Sequence, residues 1–456
     1  MSLLMRLGTI LEKGKKLWDN TEPPTSFNMD VYDNYEGVKS SDVTDDQFAI
    51  NKLMQGDNLQ ICRYLSMIGY CEKIKMIYVD PPFFSKADYR TDIKLKLGAN
   101  KPVPVIKQKA YVDSWEDGME EYLTMLTARL YAFKDLLKED GSIWIHLDWH
   151  AVHYVKVIMD EIFGENNFIN EVIWYYKSGG ASKRRYSRKH DTLLFYSKNK
   201  NYYFKPQKEK SYNRGFKPYR FKGVKEYKDD TGWYTMVNMK DVWQIDMVGR
   251  TSAERTGYAT QKPEALLQRI IESCTEEGDI CADFFGGSGT MAATSEKMGR
   301  RWISCDEGKL STVNTIKRML ENKGAFEFIE VLDPHESIQM CGDGIDVDIY
   351  AEKILSSDSD HMTVKVTGYK LWEEAYIPVE SKYMPYIEDI EKNDWLQLID
   401  YFAVDFNYNG KVFRPNLYSV KLNEYIEPQV ENIITQSGNI AVKVIDIFGN
   451  VRFKVI

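Results

Sequence analysis

The chain has 456 residues with a net charge of −8 and an aromatic-rich but otherwise ordinary composition, 30 Tyr and 10 Trp among them, a length that calls for two or three domains. Its six cysteines (62, 71, 274, 281, 305 and 341) include no Cys-x-x-Cys pair, which excludes a zinc ribbon or disulfide framework and fits a cytoplasmic protein. No apolar run reaches the roughly 18 residues that span a bilayer, and residues 1–18 lack the apolar block of a signal peptide.

The modest net charge conceals an asymmetry. Residues 177–228 carry seventeen Lys/Arg against three Asp/Glu, whereas residues 325–456 carry eleven against twenty-three. A polyanionic partner is therefore expected on one segment only. In chain order, residues 1–45 read as an arm, a short amphipathic helix followed by the turn-rich 20–26. From residue 46 the pattern is α/β. Asn51–Gln55 reads as a strand and Gly56-Asp57 as a turn, with Asp57 placed to cap the helix through Leu65.

Ile77-Tyr78-Val79 reads as a buried parallel strand, and it must stop at Pro81-Pro82, which cannot continue a ladder. A carboxylate (Asp80), a proline carbonyl and an aromatic ring (Phe83) are left at the strand's carboxyl end, where open α/β sheets bind ligands. Residues 84–115, with Lys86, Arg90, Lys94, Lys96, Lys101, Lys107 and Lys109, show no clear periodicity. That length suits either a basic loop closing over a polyanion or a solvated insertion.

Helical spacing returns over Glu120–Lys138, with Asp140-Gly141 as its stop, and a strand follows over Ser142–Asp148. His146, His150 and His153 lack a matching carboxylate helix and are not read as a metal site. Two strands, Asn167–Tyr176 and Asp191–Ser197, precede a basic stretch in which Tyr202, Tyr203, Phe204, Tyr212, Phe216, Tyr219, Phe221 and Tyr227 are interleaved with cations. Cations neutralise phosphates and ring faces stack on bases, so Lys177, Lys183, Arg184, Arg185, Arg188, Arg214, Lys217 and Arg220 are candidate nucleic-acid contacts.

A second signature begins at Gln261-Lys262-Pro263. A helix follows, then the strand Ile280–Asp283, the turn Phe285-Gly286-Gly287-Ser288-Gly289-Thr290, another helix, and a strand ending at Asp306. Glycines admit a ligand close to the backbone, and a carboxylate at the next strand end accepts ribose hydroxyls. A nicotinamide dehydrogenase is the rival for this unit, but past Lys323 the helix–strand alternation gives way to acidic, strand-like sequence. The tail, 325–456, reads as a separate domain with a helix over Tyr386–Phe402 and a hairpin turning at Gly449-Asn450.

Asp80-Pro81-Pro82-Phe83 resembles the catalytic motif of amino-group DNA methyltransferases, and Asp283–Thr290 resembles their S-adenosylmethionine motif, with Phe284 in place of the usual proline. The order, with the Pro-Pro motif first and the glycine motif after the basic segment, is similar to that of β-class enzymes of restriction–modification systems, type III modification subunits included. The resemblance implies an α/β fold: a Rossmann-like methyltransferase sheet with helices on both faces (46–176 and 256–323), an inserted target-recognition region (177–255), and a separate α+β or mostly β C-terminal domain.

It also implies roles. Asp80 and the Pro81 carbonyl orient the target amine beside Pro82, and Phe83 stacks on a flipped base. Asp57, Lys262, Pro263, Asp283, Phe285, Gly287, Ser288, Gly289, Thr290 and Asp306 surround the donor. No metal is needed. Asp rather than Ser at position 80 is similar to the adenine-N6 enzymes, with amino-cytosine or RNA methylation, or a DNA-binding subunit with a vestigial donor site, as alternatives. Double-stranded DNA is the expected partner, and the acidic tail the expected contact for a second copy or a restriction subunit.

Overall fold

The computed structural model describes residues 3–33, 48–96, 105–177, 182–332, 344–354, 360–373, 375, 377–421, 426–434 and 439–456. Lys101 and Cys341 lie outside them. The apolar run ending at the Pro-Pro pair is strand Ile74–Val79, buried at every position. A strand with no polar face needs cover on both sides, and it lies inside a ten-stranded sheet.

In chain order that sheet uses β1 (Phe27–Tyr32), β2 (Asn51–Gln55) and β3 (Ile74–Val79). After the hairpin β4 (Asp88–Ile93) and β5 (Ile106–Val112) come β6 (Leu137–Leu147), β7 (Phe168–Tyr175) and β8 (His190–Ser197). A small three-stranded sheet, β9 (Lys208–Tyr212), β10 (Glu226–Lys228) and β11 (Trp233–Asn238), interrupts the run before β12 (Val242–Gln244), β13 (Ile280–Asp283), β14 (Arg301–Asp306) and β15 (Phe326–Val331). The spatial order is β1-β15-β2-β14-β13-β3-β6-β8-β7-β12. The six strands from β15 to β6 are parallel.

Helices α1 (Leu3–Asp19), α2 (Asn58–Met67), α3 (Met119–Leu136) and α4 (Val152–Phe163) supply one apolar layer, with Leu123, Leu130 and Phe133 against Ile77 and Val79. Helices α5 (Glu264–Cys274), α6 (Thr290–Lys297) and α7 (Lys309–Glu321) cover the other face, with Leu267, Ile270 and Ile316 in one apolar cluster with Met76 and Tyr78. Helix packing on both faces is what parallel strands require.

Several expectations are corrected. The segment read as an arm adds β1 to the sheet, and β15, counted with the tail, runs parallel to β2 and antiparallel to β1. Both are six-residue strands, too short to carry a clear period. Helix α3 stops at Leu136, and Asp140-Gly141 lies within β6. The 84–115 stretch contains the β4–β5 hairpin. The helix expected over 386–402 is α8 (Met384–Asp394), and a strand takes over by Ile399. Residues 399–408 alternate little, because the strand is buried along most of its length.

Beyond β15, strands β16 (Ile345–Ile354), β17 (Asp360–Leu371) and β20 (Gln429–Ile434) form one sheet, and β18 (Ile399–Tyr408), β19 (Leu417–Val420), β21 (Asn439–Asp446) and β22 (Val451–Val455) another. The turn between β21 and β22 falls at Gly449-Asn450, as the sequence suggests.

These sheets are joined to the main one by polar contacts. The Val31 amide donates to Phe413 O at 2.9 Å, and Lys443 forms a buried ion pair with Asp30 of β1. Burial raises the Asp30 pKa, while Lys443 opposes the shift. Removing one member of a buried pair leaves an uncompensated charge. Asp30→Ala is expected to lower stability by about 3–5 kcal/mol, read as a lower urea midpoint, and an unchanged midpoint would show that the pair does not join the two parts.

Candidate active site

The parallel pairing of β3 with β13 places Asp283 opposite Tyr78. The two sequence signatures, some two hundred residues apart, therefore leave the sheet side by side at its carboxyl edge. A cavity of about 540 Å³ opens there, lined among others by Asp57, Asp80, Pro81, Pro82, Phe83, Lys262, Asp283, Phe285, Gly287, Ser288, Thr290 and Asp306. Every catalytic residue and every donor-site residue expected from the sequence is on that wall except Pro263, which caps α5, and Gly289, which caps α6.

Asp80 is held from one side. Its Oδ2 is ion-paired with Lys262 Nζ, while Oδ1 is buried and has no hydrogen-bond partner. The Lys262 ammonium also sits 5.2 Å from the centre of the Phe83 ring, a cation–π distance. Behind Asp80, His146 Nδ1 is 2.6 Å from the Tyr78 hydroxyl and 3.7 Å from Asp80 Oδ1, and His146 Nε2 is 3.3 Å from Asp191 Oδ2. His146, weighed from sequence only as a metal ligand, is instead fully buried and engaged by these groups.

The backbone leaving the Pro-Pro pair is under constraint. Phe84 and Lys86 adopt positive φ (61° and 58°), unusual for residues with a Cβ. Asp113 holds that shape. Its carboxylate accepts from the amides of Phe84 (3.0 Å) and Ser85 (2.6 Å), from Ser85 Oγ (2.7 Å) and from Trp115 Nε1 (3.1 Å).

On the glycine side, Gly287 and Gly289 have φ of 51° and 70°. A Cβ on Gly289 would lie 2.5 Å from Thr315 Oγ1, whereas one on Gly287 would point toward the cavity, 3.7 Å from Tyr258. Asp306 accepts from the Gly287 and Gly308 amides, each at 2.8 Å, so each oxygen keeps a lone pair for a ligand hydroxyl. Burial raises the Asp306 carboxyl above its usual range, and raises Asp283 well above it, with the charges of Asp80 and Asp306 adding to the shift of Asp283.

Asp57 does cap α2, accepting from the Leu59 and Gln60 amides at 3.0 and 2.9 Å, and it also pairs with Arg129 at 2.7 Å on the cavity wall. Five acids (Asp57, Asp80, Asp283, Asp306 and Glu307) line the cavity against three cations. The remaining wall comes from the β4–β5 hairpin and the loop before α5, where Tyr89 stacks on Tyr111 (4.7 Å) and the Tyr111 hydroxyl meets Thr260 Oγ1 at 3.2 Å. The spacing patterns of the sequence carry no signal for Asp113, Arg129 or Tyr111. The Asp191–His146 contact follows once β6 is known to pair antiparallel with β8.

The eight candidate DNA-contact cations are all exposed. Lys177 faces Asp246 at 3.7 Å, and Arg188 lies 3.5 Å from the centre of the half-exposed Trp149 ring. Phe216 and Phe221 are exposed on a loop that Glu226 holds through the amides of Tyr219 and Arg220, both at 2.8 Å. Tyr202 and Phe204 instead pack beside Phe195, so part of the aromatic enrichment belongs to the sheet.

The chain matches the DNA methylase family over residues 74–317. It is 31% identical over 157 residues to the Mod subunit of the type III restriction-modification enzyme EcoP15I of Escherichia coli, covering 32% of this chain and 24% of that protein. It is 28% identical over 236 residues to the type II methyltransferase M.HpaI of Haemophilus parainfluenzae, covering 52% and 65%. It thus spans about a quarter of the first relative and just under two thirds of the second. A crystal structure of the M1.HpyAVI–SAM complex superposes with a TM-score of 0.38 at 18% identity, covering 59% of this chain and 98% of that one. With both signatures on one sheet edge and more than half its length matching that family, the chain belongs to the DNA methylases.

Proposed function

We propose that this protein transfers a methyl group from S-adenosylmethionine to the N6 amino group of adenine in duplex DNA, with the target base flipped out of the helix, as part of a restriction–modification or phage-defence system. The observation that carries this reading is Asp80 Oδ1, a buried acceptor without a partner on the wall of the cavity that the glycine turn shares. An unsatisfied buried acceptor calls for a donor, and an exocyclic amine supplies one.

The cavity residues fit the methyl donor. An acidic lining suits its two cationic centres, the free lone pairs of Asp306 suit ribose hydroxyls, and the absent side chain of Gly287 leaves room beside Tyr258. Bound there, the donor supplies an electrophilic methyl group on a sulfonium.

The protein's part is orientation and charge stabilisation. Asp80 Oδ1 and the Pro81 carbonyl accept the amine hydrogens and aim the nitrogen lone pair. The Asp80 carboxylate stabilises positive charge as it develops on that nitrogen. Phe83 offers a ring to the flipped base, whose stacking competes with the Lys262 ammonium for that ring. The choice of adenine over cytosine rests on an aspartate at position 80. The basic segment 177–255 serves as the target-recognition region, and the acidic tail as the contact for a partner subunit.

Incubating the protein with labelled donor and DNA is expected to yield N6-methyladenine on digestion. N4-methylcytosine would overturn the choice of base, and label in RNA alone would overturn the substrate. Asp80→Ala is expected to cut transfer by about 10²–10³-fold with donor affinity nearly unchanged, and retained transfer would remove Asp80 from its role. Replacing Arg184, Arg185 and Arg188 by Ala is expected to weaken DNA binding and to flatten the plot of log K against log salt by about 0.9 for each phosphate no longer neutralised. An unaltered slope would move the DNA surface elsewhere.

A further inference from the structure

Methyl transfer to an amine leaves a cationic nitrogen that must lose a proton, and Asp80, whose Oδ2 is already ion-paired with the Lys262 ammonium, offers it only Oδ1. We propose that His146, acting through Asp80 and held by Asp191, is the resting place of that proton. The inference rests on the methyltransferase reading above.

The geometry fixes the ring. Asp191 Oδ2 lies 3.3 Å from Nε2, and an ionised carboxylate can only accept, so Nε2 carries a hydrogen. In the neutral ring Nδ1 is then an acceptor. It faces the Tyr78 hydroxyl at 2.6 Å and Asp80 Oδ1 at 3.7 Å, the same oxygen that lacks a partner.

The step balances. The substrate N–H bond breaks and a proton joins Asp80 Oδ1; it passes on to Nδ1 once the Tyr78 hydroxyl turns away and the 3.7 Å gap closes to hydrogen-bond distance, and Asp80 returns to carboxylate. The outcome is an imidazolium between two carboxylates, with no redox change and no metal. His146 is completely buried, so the ring is shielded from solvent.

The groups facing the ring support this arrangement. From β3 comes Tyr78 and from the residue after that strand Asp80, from β8 Asp191, from the residue after β7 the Tyr176 hydroxyl at 3.3 Å from Asp191 Oδ1, from the loop before α5 Lys262, with Asp283 and Asp148 nearby. Burial opposes charge on Asp191, but the hydrogen bond and charge of His146, the charge of Lys262 and the Tyr176 hydroxyl hold its pKa below the ordinary value. Burial, with the charges of Asp80, Asp283 and Asp191, holds Tyr78 protonated. The Phe83 ring lies 5.5 Å and the Trp174 ring 5.4 Å from the imidazole and seal it in place.

The test is single-turnover transfer of labelled methyl to DNA as a function of pH for the full chain, His146→Asn and Asp191→Asn, with donor affinity and thermal unfolding measured alongside. Asp191→Asn keeps the side-chain shape while removing the carboxylate charge that stabilises an imidazolium at His146. Both variants are expected to lose about 10²-fold in rate with donor affinity retained. Both should also change the dependence of the rate on pH relative to the wild type. If His146→Asn fails to fold, the Asp191→Asn profile decides. A wild type that methylates DNA beside variants of unchanged rate and pH profile would overturn the relay alone. A wild type that transfers no methyl to DNA would overturn the functional reading, and the relay with it.

Discussion

The register between β3 and β13 is the constraint on which the rest of the site depends. Parallel strands of six and four residues, paired so that Asp283 stands opposite Tyr78, end within one residue of the same level. The chain must then leave the sheet twice in one place, once through two prolines and once through glycines at positive φ. Neither exit can carry regular hydrogen bonding onward, so both leave polar groups turned toward a common cavity. A slip of one residue would turn Asp283 toward the opposite face of the sheet and break the arrangement.

Electrostatics then decides what the cavity is suited to hold. Carboxylates from four separate strand ends and turns converge in a partly buried space, and burial raises the pKa of Asp283 and Asp306 against their usual tendency to ionise. Lys262 meets this field at one point, the Asp80 carboxylate, and leaves the other oxygen of that group open. The eight candidate contact cations stay outside, exposed on the connection between β7 and β8 and on the loop between β9 and β10. The cavity and the basic segment thus present surfaces of opposite sign on one chain.

The C-terminal sheets are tied to this site by more than one route. The β4–β5 hairpin lines the cavity with Tyr89 and Tyr111 at one end, while Leu95 and Ile106 near its other end pack in the C-terminal core. The Lys109 amide donates to Pro378 O at 2.8 Å, and the Lys96 amide to Gln397 Oε1 at 2.7 Å. β1 and its Asp30–Lys443 pair make the second connection. The segment that looked unstructured from its sequence is thus a strut between the cavity wall and the tail.

What the sequence determined by itself follows from local chemistry: prolines that end a ladder, glycines that permit a turn, an apolar run without alternation, and a segment whose charge departs from the rest. These are properties of contiguous residues, so Asp80–Phe83, Gly287, Gly289, Asp306 and the basic segment were all legible before any fold was known. The membership of β1 and β15 in the main sheet, the grip of Asp113 on the loop after Phe83, and the contact of His146 with Asp191 were not. Each depends on which strands lie side by side, and a lone carboxylate or histidine carries no mark of the partner that folding brings to it. Pairing decided those, because hydrogen-bond partners and burial are properties of neighbours in space.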